Sequence, residues 1–122
     1  MNFTRNVSLI TVSLLSVLYS SSLYSGNREN RDLLKATARG EITKVRDLLD
    51  KEGADINFQN ERGMTALDFA ARSGDLELVK DLIHRGAAVS LKTNKGKTAM
   101  DIAKEHKHYD VAKELRDNGA AE

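Results

Sequence analysis

The chain is expected to fold as an all-α solenoid of stacked helix pairs, and two observations carry that expectation. The first is an internal repeat: Gly63-Met64-Thr65-Ala66-Leu67-Asp68-Phe69-Ala70-Ala71 returns 33 residues later as Gly96-Lys97-Thr98-Ala99-Met100-Asp101-Ile102-Ala103-Lys104. A fixed period of this size marks a stacked repeat array. The second is that caps and closing glycines fall at matching points of the repeated units. Each unit of such an array buries its apolar face only against its neighbours, so the fold offers an extended surface rather than a pocket. Binding, not chemistry, is the expected class of activity.

The first unit is recognised from the second. Leu33-Leu34-Lys35-Ala36-Thr37-Ala38-Arg39-Gly40-Glu41-Ile42 lines up with Leu67 to Leu76 at an offset of 34, and Gly53-Ala54-Asp55-Ile56-Asn57 with Gly86 to Ser90 at 33. One residue is therefore inserted near Lys51 and Glu52. Helices are expected over Asp32–Ala38 and Thr43–Lys51. In the second and third units Thr65 and Thr98 each stand three residues before an acid, Asp68 and Asp101, which is the spacing of a capping box. Each should open a short helix. From Leu76 the series Leu76, Val79, Leu82, Ile83 has helical rhythm, with Glu77, Lys80, Asp81 and Arg85 opposite. Gly86 should end that helix in the left-handed conformation. The last helix carries Tyr109, Ala112, Leu115 and Arg116 in the same register. Replacement of Ile83 by Arg116 suits a helix whose outer side meets water.

At these residues the sequence resembles the ankyrin-repeat family, whose signature is Gly-x-Thr-Pro-Leu-His-x-Ala-Ala, a helix, a Gly turn, a second helix and a closing Gly-Ala-x-x-Asn. Here Ala66 and Ala99 stand for the proline, Asp68 and Asp101 for the histidine, and Lys107 for the helix-linking glycine of the last unit. The first unit lacks the Thr-Pro-Leu-His segment, as a terminal unit with one face in water can. The resemblance implies an ankyrin-repeat solenoid over 30–122, with repeats at about 30–62, 63–95 and 96–122 and hairpin loops at Phe58–Met64 and Leu91–Lys97. A tetratricopeptide array is disfavoured, because its helices leave no room for the polar stretch from Ala87 to Lys97.

The family's loops project as fingers, and their tips, with the exposed side of each first helix, form the concave face that meets partners. Mapped here, that implies Gln59, Glu61, Arg62, Met64, Arg72 and Ser73 in the middle unit, and Lys92, Asn94, Lys95, Lys97, Glu105 and His106 in the last. Met64 is the apolar residue placed to serve as an anchor, and Lys92, Lys95 and Lys97 form a basic cluster that is either a recognition patch or a solvated tip.

Residues 1–25 read differently. Arg5 precedes an uncharged, largely apolar stretch, Val7 to Tyr19, of 13 residues, within the 7–15 of a secretory signal core. Cleavage is expected after Ser22 or Ser25, with 26–29 as a short linker. An uncleaved membrane anchor, with the uncharged stretch running on to Tyr24, and a disordered leader are the alternatives; seven serines and threonines from Ser8 to Ser22 make that longer stretch a weak span. Export, to the periplasm or beyond in a bacterium, follows from the first reading.

Composition narrows the rest. Nineteen basic against 18 acidic residues give a net charge of +1, which argues against nucleic acid or an anionic membrane as the main partner. Without cysteine there is no disulfide, thiolate zinc site or thiol nucleophile. His106 and His108 lie two apart, which on a helix would point them away from each other and not at one metal; two solvated side chains are expected. No phosphate loop, Gly-x-Ser-x-Gly elbow or calcium loop occurs. The expectation is therefore a monomeric, non-catalytic module that binds another protein and uses no cofactor, metal or small-molecule substrate. A membrane-tethered scaffold, or an inhibitor of the immunity type acting on a specific enzyme, are the alternatives.

Overall fold

The computed structural model describes residues 28–121, so the leader lies outside the described residues. Six helices are found there and no strand: α1 over 28–38, α2 Ile42–Asp50, α3 Ala66–Ser73, α4 Leu76–His84, α5 Ala99–Glu105 and α6 Tyr109–Asp117. They pair as expected, and α1 takes in Arg28 and Glu29, which the sequence reading left to the linker. First helices stack on first helices, α3 on α5, and second on second, α4 on α6. One core runs the length of the stack, from Leu33 and Val45 through Leu67, Leu78 and Leu82 to Met100, Val111 and Leu115.

Local chemistry sets the ends of the helices. Both capping boxes form: Thr65 N–H donates to Asp68 Oδ2 at 2.9 Å and Thr98 N–H to Asp101 Oδ2 at 3.0 Å, while each threonine hydroxyl accepts from the acid's own N–H at 3.3 Å. Gly86, at φ +94°, closes α4 as expected, with Ala87 N–H donating to the Leu82 carbonyl. Ala120 repeats that bond to Leu115 in the last unit. In the first unit the bond runs from Ala54 to Leu48, one residue further. The insertion is thus absorbed in the turn after α2 and leaves the stacking undisturbed.

Three expectations are corrected. The α4 core is Leu78, Val79 and Leu82, with Leu76 and Ile83 only half-buried. Leu78 and its counterpart Val111 each have an earlier unit against them; Lys44, in the matching place of the first unit, is exposed. Tyr109, expected on the inner face, is 64% exposed because no later unit covers it among the described residues. The histidines do not point apart: Lys107 between them takes φ +63°, and the chain turns so that the two rings stack at 6.4 Å. His106 is exposed, but His108 is half-buried and donates from Nε2 to the Arg72 carbonyl at 3.1 Å, tying the last unit to the end of α3.

On the helix side away from the fingers, arginines join α2 to α4. Asp81 accepts from Arg46 at 3.4 Å and from Arg85 at 3.1 Å, and Arg85 also grips Asp50. That hydrogen bond holds the Asp50 carboxyl below its ordinary range and raises the Arg85 guanidinium.

Candidate protein-binding face

The fingers begin as turns built by one side chain each. Asn60 Oδ1 accepts from the N–H groups of Arg62 and Met64, and Asn60 N–H donates to the Met64 carbonyl. In the next unit Thr93 Oγ1 does the same for Lys95 and Lys97. The two fingers are then joined. Asn94 donates from its backbone to Arg62 at 2.9 Å and from its side chain to Glu61 at 2.6 Å, and the Gln59 amide donates to the carbonyls of Gly63 and Lys92, both at 3.0 Å.

Between the fingers and the first helices lie two open hollows. The one between the second and third units, of about 510 Å³, gathers eight of the twelve residues mapped from sequence: Arg62, Met64, Arg72, Asn94, Lys95, Lys97, Glu105 and His106, with Thr93 and Ile102. Lys97 and Glu105 pair across it at 2.5 Å, which neutralises one cation there. Glu61 lines the other hollow. Gln59, Ser73 and Lys92 line neither, and the amides of Gln59 and Asn94 are already occupied in joining the fingers.

The other hollow, of about 720 Å³, lies between the first and second units and shares Arg62. Arg31, Leu34, Lys35 and Ala38 of α1 face Phe58, Asn60 and Phe69 across it, and none of these was mapped. Met64 is therefore not the only apolar residue on this face. The signal was present in the period: Glu105, Arg72 and Ala38 form one column at steps of 33 and 34. It went unused because the first unit lacks the motif that anchors the mapping.

Together the hollows collect six cations, Arg31, Lys35, Arg62, Arg72, Lys95 and Lys97, against Glu61 and Glu105. Among the described residues no group of three His, Cys, Asp or Glu gathers as a metal site, and no helix is long and apolar enough to cross a membrane.

Stacked helix pairs joined by fingers define a helical repeat protein. A family model for ankyrin repeats matches residues 33–121 in three copies, and the chain belongs to the ankyrin-repeat family. Among solved structures it is similar, at 42% identity and a TM-score of 0.70, to a chain of the complex between a predatory endopeptidase of Bdellovibrio bacteriovorus and an immunity protein. The match covers 73% of this chain and 46% of that one, so this chain spans under half of its length.

Proposed function

We propose that this protein is a non-catalytic binding module of the immunity type, which seats an endopeptidase against its fingers and first helices and so blocks it. The supporting observation is the 42% identity to a chain of a complex whose two components are an endopeptidase and an immunity protein. The finger face supplies the surface such a role requires: two adjoining hollows, edged by polar side chains, on a stack with its own continuous core. Export belongs to the same proposal, since the Val7–Tyr19 stretch has the form of a secretory leader and would bring the inhibitor to the compartment of an exported enzyme.

Titrating the purified chain into the endopeptidase of that complex, and into those of the chain's own source, should give loss of activity linear to equivalence. Undiminished activity in all of them at a large excess of the chain would overturn the reading. For export, the intact mass of protein recovered from outside the cytoplasm should correspond to a start between Leu23 and Asn27; a retained Met1 would favour the anchored scaffold.

A further inference from the structure

We infer that the hollow between the first and second units is a docking site for an acidic, extended segment of the partner, which inserts one large apolar side chain between α1 and α3. This rests on the binding role proposed above and adds the chemistry of what is bound. The floor is apolar: Leu34 and Ala38 come from α1, Phe58 from the finger and Phe69 from α3. Both phenylalanines of the described residues are here, each only partly buried against the core. Water over such a floor is displaced favourably by another apolar side chain. The hollow one unit on has Ile102 in the place of Phe69, and that isoleucine is 6% exposed, so the roomier apolar seat is the first one.

Charge selects what flanks the inserted side chain. Arg31, Lys35 and Arg62 stand around the floor with Glu61 as the one acid, and beyond Arg62 the cations continue through Arg72 and Lys95. The whole chain carries a net charge of only +1, so six cations against two acids on one strip is a local concentration that composition hides. Carboxylates on the partner would be steered to it, and a basic segment repelled. Since Arg62 belongs to both hollows, a segment anchored in the first runs on over the second without leaving the cationic strip.

The test uses the full chain and a fluorescent peptide with a central tryptophan flanked by glutamates, read by anisotropy. Versions with lysine for glutamate, or glycine for tryptophan, should each bind at least about tenfold more weakly. Ala38→Trp fills the hollow from an exposed position on α1, and Lys35→Glu with Arg62→Glu reverses its rim; each should also weaken binding at least about tenfold while thermal unfolding stays cooperative. Equal binding of the glutamate and lysine peptides, or no binding at about 1 mM, the weakest affinity worth the name, overturns the site. So does displacement by a single-stranded oligonucleotide as readily as by unlabelled peptide, which would mark a nucleic-acid surface. If wild type and Ala38→Trp inhibit an endopeptidase equally, the site falls and the proposed function stands; peptide binding without inhibition of any endopeptidase has the opposite meaning.

Discussion

The middle and last units carry nearly the same sequence, and the structure treats them differently. Asp68 and Asp101 close the same capping box with the same bonds, yet Asp68 is 1% exposed while Asp101 is half-buried. Burial pushes the Asp68 carboxyl up to about 6, against the two hydrogen bonds from Thr65 that pull it down. Gly74 turns the chain between α3 and α4 at φ +74°, with the His108 ring lying where a Cβ would go; in the last unit Lys107 makes the same turn at φ +63° with a full side chain. The second finger crosses close over Gly63, whereas nothing among the described residues approaches Gly96. A unit with neighbours on both sides has its residues chosen by those neighbours; the last unit, with a neighbour on one side only among the described residues, is released from half of them.

The comparison can be broken most sharply in the core. Leu82→Ala should cost about 2–5 kcal/mol in urea unfolding, whereas Tyr109→Ala, at the open end, should stay within about 0.5 kcal/mol. A small cost at Leu82 would mean that α4 is not held between its neighbours.

The buried acid of the middle unit gives the next largest effect. The folded state holds a proton on Asp68 up to about pH 6, while the unfolded chain releases it near 3.8, so the native form binds more protons between those values. Stability should therefore fall as pH rises through that window, by on the order of 2–3 kcal/mol, and level off above it. Asp68→Asn, whose side-chain oxygen can still accept from Thr65, should flatten the decline. A decline unchanged by Asp68→Asn would place its origin elsewhere.

Gly74→Ala should lose on the order of 2 kcal/mol, from a left-handed backbone and a Cβ set 2.5 Å from His108 Nδ1. The mirror experiment should have a smaller effect of opposite sign: Lys107→Gly should gain about 1 kcal/mol by relieving the same backbone conformation in a residue with a side chain. Thermal melts of the two variants side by side would sharpen or remove the distinction between the turns.

What could be read from the sequence was whatever one unit decides alone. Thr65 with Asp68 and Thr98 with Asp101 are local pairs three residues apart, and both form. The finger positions and the stop at Gly86 are local as well. The misread positions depend on the neighbouring unit. Leu78 is in the core with an earlier unit beside it, and Tyr109 is outside with no later unit over it among the described residues; one helix's periodicity contains neither fact. The stacked histidines depend on Lys107 leaving the helical region, which a count along an ideal helix cannot register. At the candidate face, the period brought most of the mapped residues to one hollow. The aromatic seat beside it escaped because Phe58, Phe69 and Ala38 come from two units, one of them without the motif.

The bonds that Gln59 and Asn94 make between the fingers have a kinetic meaning. Loops stapled to each other have little left to freeze when a partner arrives, so most of the ordering entropy is spent during folding rather than at encounter. Association should then proceed in a single concentration-dependent phase, without a slow rearrangement after first contact, as expected of surfaces that move little on binding.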